Sequence, residues 1–339
     1  MEKAKHTRRR FLKYFPALPA GLWTLSRARR SAAEPLSLTS AATSRPSTVA
    51  VATSSELVKG NATEPTPEIA RILNEAIAAV TGKADARSAW KGLFSPADVI
   101  GIKVNCLAGP GLSSHPEVVA AIVESLADAG FTKERIIVWD RTERELASVG
   151  FTEQSVNGAR ILATDSPGIG YENDIEFSGE VGSCFSRILT RVCTALINVP
   201  VLKDHDLAGV SLGMKNFYGA IHNPNKYHDN NCDPYVADVC AHPLIARKLR
   251  LVVCDALIGQ YHGGPAPRPQ WSWQAGSLIV SRDPVAVDRI GLAIIEEKRK
   301  EAGMQSLKDV GREPKYIQTA AQRGLGTADI GKISKVSIS

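Results

Sequence analysis

No cysteine in this sequence stands in a C-x-x-C pair. The six that occur (Cys106, Cys184, Cys193, Cys232, Cys240 and Cys254) lack the spacing of a ferredoxin-type iron–sulfur motif, a zinc ribbon or a thioredoxin-type site. No G-x-x-x-x-G-K-[ST] is present, and no G-x-G-x-x-G follows a strand-like run, so nucleotide binding has no motif to support it. Gly209–Gly213 is rich in glycine without meeting either pattern. No stretch approaches the ~20 apolar residues of a bilayer-spanning helix. No internal repeat is visible, which sets solenoid and propeller architectures aside.

The amino terminus has a pattern of its own. Thr7-Arg8-Arg9-Arg10-Phe11-Leu12-Lys13 resembles the S/T-R-R-x-F-L-K motif of bacterial twin-arginine signals. The apolar stretch behind it, Tyr14 to Leu25, is 12 residues long and carries Pro16 and Pro19, too short and too broken to span a membrane. Ser31-Ala32-Ala33 supplies small residues of the kind that precede a cleavage site. Arg27, Arg29 and Arg30 behind the apolar segment suit the twin-arginine route over general secretion. The resemblance implies a signal over residues 1–33, the twin-arginine export machinery as a partner, folding before transport, and a periplasmic or other extracytoplasmic destination.

Setting that segment apart changes the charge argument. The whole chain has a formal net charge of +6. Residues 1–33 hold nine Lys/Arg and one acid, Glu2, which leaves 32 basic against 34 acidic residues and a charge of about −2. The basic pI belongs to the signal and gives no warrant for a nucleic-acid partner. No stable membrane span is expected in the mature chain. In an oxidising compartment Cys232 and Cys240, with seven residues between them, are the expected bridge. Cys193 and Cys254 lie in apolar strand-like runs and are expected to pack as small hydrophobes.

Residues 34–47 have the Ser/Thr/Ala/Pro composition of a linker, and 48–339 is read as a single domain. Within it strands and helices alternate. Strand-like runs are 48–53, 98–104, 136–139, 195–202, 249–254, 277–281 and 332–338. Helical patterns are 67–80, with Ile69, Ile72, Leu73, Ala76, Ile77 and Val80 on one face, 116–129 with Pro116 in its first turn, 207–218, 283–300 with Asp283 as N-cap and Pro284 behind it, and 316–323. The polar stretch 222–243 reads as a long functional loop. The alternation predicts an α/β fold with a largely parallel sheet flanked by helices.

In such a sheet ligands bind beyond the carboxyl ends of the strands, and the polar residues collect there. Lys103 and Asn105 end DVIGIKVN, Asp140 ends IIVWD, and Lys203, Asp204 and His205 end ALINVPVLKDH. Asp255 ends LRLVVCD, and Ser281 and Asp283 end SLIVSRD. Each has a blander reading. Asp140, Asp255 and Asp283 would serve equally as loop or helix caps, and His115 need only begin a helix. His222, His228, His242 and His262 are loop residues of the sort usually solvated. Lys203 and Lys215 differ, because each sits in a mostly apolar stretch where an amine needs an anionic partner.

The stretches GIKVN, SSHPEVV, INVPVLKDHDLAGVSLGMKNFYGAIH and SRDPVAVDRIG resemble the family known as domain of unknown function 362, over about residues 95–295. Its recurring pieces fall on Lys103 and Asn105, on His115 and Pro116, on Lys203 and His205, on Ser211, Lys215, Asn216 and Gly219, and on Asp283, Pro284 and Asp288. Some members carry a ferredoxin-like cysteine cluster that this chain lacks.

Together these features predict an exported enzyme acting on a small anionic substrate, with a divalent metal as an optional cofactor. Lys103, Lys203 and Lys215 would hold carboxylate or phosphate oxygens, Asn105 and Asn216 would orient the substrate, and His115 would stand at the rim. His205 would be the general base or a metal ligand, with Asp255 or Asp283 completing a metal site or orienting the imidazole. The alternatives from the same residues are a non-catalytic anion- or metal-binding protein and a redox cofactor carrier.

Overall fold

A computed structural model describes residues 47–59 and 65–339. The segment that resembles a twin-arginine signal, and the expected linker apart from its last residue, lie outside the described residues. The described residues belong to one compact unit.

Twelve strands are present among the described residues: β1 (Ser47–Thr53), β2 (Ile100–Lys103), β3 (Ile136–Asp140), β4 (Arg160–Ala163), β5 (Glu176–Ser178), β6 (Val181–Ser183), β7 (Ala195–Asn198), β8 (Val201–His205), β9 (Gly209–Ser211), β10 (Leu249–Gln260), β11 (Ser272–Ser281) and β12 (Ile333–Ile338). Ten of them form one sheet in the order β12-β1-β11-β10-β7-β2-β3-β4, with β8 joined to β10 and β9 joined to β8. All run the same way except β9 and β11. β5 and β6 form a separate hairpin.

Period-two alternation divides the sheet into two buried faces. Ile100, Ile102, Ile136, Val138, Ala195 and Ile197 point to one side, where α2 (Pro65–Thr81), α3 (Ala86–Leu93) and α4 (Pro116–Asp128) cover them, while α1 (Ser55–Lys59) packs beside β11. Ile69, Ile72, Leu73, Ala76 and Ile77 of α2 are fully buried, each burial stabilising by ~1–3 kcal/mol. Ile137, Trp139, Leu196, Val252 and Cys254 point to the other side, toward α6 (Tyr235–Ala241), α7 (Pro243–Ala246), α8 (Pro284–Glu301) and α9 (Tyr316–Gln322). The short α5 (Glu143–Ser148) follows β3, capped by the Thr142 side chain.

The long apolar run 195–202 is two strands, because Pro200 interrupts it. Proline has no N–H to give a ladder, and here its carbonyl accepts from Asp255 N at 2.7 Å while the chain passes on into β8. That break carries Lys203 and His205 forward, past the end of β2. The 207–218 segment is not a helix. Gly209 sits at φ +79°, and a Cβ there would meet the Arg312 carbonyl, so the chain turns into β9 and then into a 3₁₀ turn over Lys215–Ala220. The 222–243 segment is less loop-like than its polarity predicts, since it contains α6. Cys232 and Cys240 are both free and buried, and the Cys240 thiol donates to Met214 O at 3.3 Å, so the expected bridge is not formed.

Candidate functional site

β2 and β3 are parallel neighbours, and their ends bring Lys103 to Asp140. Lys103 Nζ donates to Asp140 Oδ1 at 2.6 Å and to Val104 O at 2.6 Å, with both side chains almost wholly buried. The other carboxylate oxygen accepts Cys106 N at 2.8 Å. A buried ion pair persists when its remaining valences are satisfied in this way. Gly219 passes directly over the pair, and a Cβ there would sit 2.9 Å from Lys103 Nζ and 3.1 Å from Asp140 Oδ1.

Lys203 is buried without a carboxylate. Its Nζ donates to Asn105 Oδ1 at 2.8 Å and to Leu112 O at 3.1 Å. A chain of amides runs on from there. Asn105 Nδ2 donates to Asn216 Oδ1 (3.0 Å), Asn216 Nδ2 to Asn198 Oδ1 (2.7 Å), and Asn198 Nδ2 to Gly213 O (2.7 Å). Each amide has a defined sense because each accepts from one side and donates to the other. Asp288, fully buried on α8, closes the chain by accepting Gly213 N at 2.7 Å and Met214 N at 3.2 Å. Burial lowers the Lys203 amine to about 8, since an ammonium loses hydration there and no anion replaces it.

Lys215 has the other uncompensated amine. Its Nζ lies 3.1 Å from His228 Nε2 and 4.2 Å from the centroid of the Tyr218 ring. Burial brings this amine to about 8 as well. His228 Nδ1 faces Pro224 O at 3.1 Å. That carbonyl accepts only, so Nδ1 carries the hydrogen and Nε2 keeps its lone pair. His228 stacks against His205 with ring centroids 5.7 Å apart.

His205 is arranged differently from the general base the sequence predicts. Its Nδ1 accepts Leu207 N at 3.1 Å and Ala208 N at 3.2 Å. The lone pair is occupied, so the ring hydrogen is on Nε2. Burial, with Lys215, His228, Lys203 and Arg312 nearby, pushes the imidazole down to about 2. Asp206 Oδ1 lies 3.2 Å from the same nitrogen, but that carboxylate is exposed and accepts from Leu207 N. His205 is thus a neutral Nε2–H donor.

Lys103, Asn105, Lys203, His205, Lys215 and Asn216 all line one cleft of about 520 Å³, within the range of small-molecule sites. Asp140, Arg141, Ser211, Tyr218, Gly219 and His228 share its walls, and Leu107 and Leu207 stand exposed on its lining. Three residues predicted from the sequence are elsewhere. His115 caps α4 and is bound to Asp255, backbone N to Oδ2 at 2.7 Å and Nδ1 to Oδ2 at 2.9 Å, outside the cleft lining. Asp255 is not at a strand end, because β10 continues to Gln260. Asp283 is carried away from the site because β11 runs against its neighbours. Its carboxylate accepts from Ser47 at the start of β1, from Ala286 at the start of α8 and from Thr327 in the segment before β12. Asp255 and Asp283 therefore do not combine with His205 as metal ligands. Among the described residues no group of three or more His, Cys, Asp or Glu side chains is gathered as a metal would require.

Several residues of the cleft and its support carry no mark in the sequence. His228 looked like a solvated loop histidine, and Asn198 and Tyr218 lie within apolar runs where nothing distinguishes them. Asp288 stood in the D-P-V-A-V-D motif without a role, and its role is to fix the loop that presents Lys215 and Asn216.

The family model described as Domain of unknown function (DUF362) matches residues 100–293, which include every residue that lines the cleft. No curated protein sequence matches the chain. A crystal structure of a Thermotoga maritima protein, a structural-genomics target, is similar with a TM-score of 0.40 and 11% identity, covering 63% of this chain. The chain spans 57% of the length of that protein.

Proposed function

The chain belongs to the DUF362 family, and from that premise we propose that its cleft is the active site of an enzyme acting on a small anionic substrate. The observation that carries this reading is the pair of buried amines, Lys203 and Lys215, that share one cavity and have no carboxylate partner. A buried ammonium without a counter-ion is costly, and a substrate carboxylate or phosphate supplies that counter-ion. Lys103 is already neutralised by Asp140 and serves as scaffold in place of a third anion ligand. Asn105 holds Lys203 in place, and Asn216 holds Asn105 through the amide chain. His205 offers a neutral Nε2–H to a substrate oxygen.

Turnover is favoured over simple binding by the Lys215–His228 pair. An amine near neutrality touching an imidazole with a free lone pair is a proton-transfer couple, which a passive receptor does not need. We also propose that the protein acts outside the cytoplasm, on the strength of the Thr7–Lys13 motif. The experiment is a thermal-shift screen of phosphate and small mono- and dicarboxylates against the native protein and Lys203→Met. Stabilisation by a subset of anions, lost in the variant, supports the reading. Stabilisation by none of them, or by all of them equally in both proteins, refutes it.

A further inference from the structure

We propose that Lys215 is a carbonyl-reactive lysine, whose neutral amine adds to the aldehyde or ketone carbon of a small oxo acid while Lys203 holds the acid's carboxylate. This inference rests on the anion-site reading above and adds the substrate class.

The two uncompensated amines are built differently. Lys203 donates to two oxygens, Asn105 Oδ1 and Leu112 O, an arrangement suited to an ammonium with one hydrogen left to give. Lys215 has no oxygen acceptor among the described residues. Its hydrogen-bond partner is the Nε2 lone pair of His228, 3.1 Å away, and its other close neighbour is the face of Tyr218. The ring face favours the ammonium through its quadrupole. Lost hydration disfavours it by more. The balance lowers the basicity of Lys215 to about 8, so part of the amine is free near neutral pH and the free fraction grows as pH rises. An unprotonated, desolvated lysine facing a cavity is the form in which this side chain acts as a nucleophile.

The step balances within the cleft. The Lys215 nitrogen lone pair forms the N–C bond as the carbonyl π pair moves to oxygen. A proton leaves nitrogen for His228 Nε2 and passes from there to that oxygen, giving a carbinolamine. A second proton lost from nitrogen accompanies the hydroxyl as it departs, so the products are an imine and one water. His228 can take the proton because Pro224 O fixes its hydrogen on Nδ1. His205 Nε2–H is the neutral donor on the same lining.

The test incubates the full chain with pyruvate or glyoxylate and sodium cyanoborohydride, followed by intact mass measurement and peptide mapping. One adduct per chain is expected, mapping to Lys215, with a rate that rises with pH about a midpoint near 8. Lys215→Arg should abolish it. Lys203→Met should slow labelling by pyruvate roughly tenfold or more relative to labelling by uncharged acetone in the same variant, the worth of a lost charge-assisted hydrogen bond. Mapping the native protein locates the adduct even where a variant fails to fold. Labelling spread over exposed lysines, or no adduct with either oxo acid, overturns the proposal. If anions still stabilise the protein through Lys203 while Lys215 stays unlabelled, the carbonyl chemistry falls and the anion site stands. Failure of both removes both.

Discussion

Lys203 Nζ and Asn105 Oδ1 meet at 2.8 Å across 98 residues of sequence, and the contact joins the amine to an amide chain that ends on the backbone of Gly213. The cleft therefore owes its shape to a chain of hydrogen-bonded amides, and its charge to two lysines left without anions.

The Lys203 amine should be worth more to function than to stability. At pH 7 it is protonated in both the folded and the unfolded chain, and a decrease from 10.5 to about 8 corresponds to a native-state penalty of about 3 kcal/mol. Lys203→Met removes that penalty and leaves Asn105 Oδ1 without its donor, a cost of ~1–3 kcal/mol. Chemical denaturation should show the variant within about 2 kcal/mol of the native protein, with anion-dependent stabilisation gone. A variant that is far less stable yet still binds anions would reverse these roles.

Gly219 has no room for a methyl group. The Cβ of Gly219→Ala would press on Lys103 Nζ and Asp140 Oδ1 at 2.9 and 3.1 Å. The pair must move or the 3₁₀ turn must lift, at a cost of ~1–3 kcal/mol. Urea unfolding should report that loss together with weaker anion binding, because the same turn carries Lys215 and Asn216. An unchanged unfolding midpoint would mean that the turn is not held against the ion pair.

The His115–Asp255 pair sets a pH dependence apart from the cleft. The buried Asp255 carboxylate raises His115 from 6.5 to about 9. A raised basic group stabilises the fold fully below its unfolded value and loses that contribution as pH rises through its folded value. The difference in unfolding free energy between the native protein and His115→Gln should thus be constant below about pH 6.5 and shrink toward pH 9, by at most about 3 kcal/mol. A difference that does not vary with pH would mean that the pair is a neutral hydrogen bond.

Export should depend on Arg8 and Arg9. Replacing both with lysine keeps the charge but removes the guanidinium groups, which are not interchangeable with amines in recognition. Fractionation should find the precursor retained in the cytoplasm. Normal export of the double variant would remove the extracytoplasmic reading and leave the cleft untouched.

The strand-end rule located Lys103, Asn105, Lys203 and His205 because β2 and β8 run parallel and point to one edge, a fact legible in the alternation of strands and helices. It failed for Asp283, since strand direction is a tertiary property, and β11 runs backwards between β10 and β1 with nothing in SLIVSRD to announce it. It failed for Asp255 because β10 extends beyond the apolar run that marked it. His205 lies on the cleft lining, but not as the base that its ordinary titration range suggests. A pKa near 6.5 is a solution value, and two backbone N–H groups on Nδ1 together with nearby amines cancel it. His228 was invisible for the converse reason, since its importance comes from Lys215, thirteen residues away, and from Pro224 fixing its tautomer.

The most direct test of the central claim is a crystal structure of the protein grown with the anion that stabilises it most in the thermal-shift screen. That anion is expected in the cleft, with oxygens within hydrogen-bond reach of Lys203 Nζ and near Lys215 and the Nε2–H of His205. Density for the anion only at surface arginines, with Lys203 and Lys215 still facing an empty cleft, would contradict it.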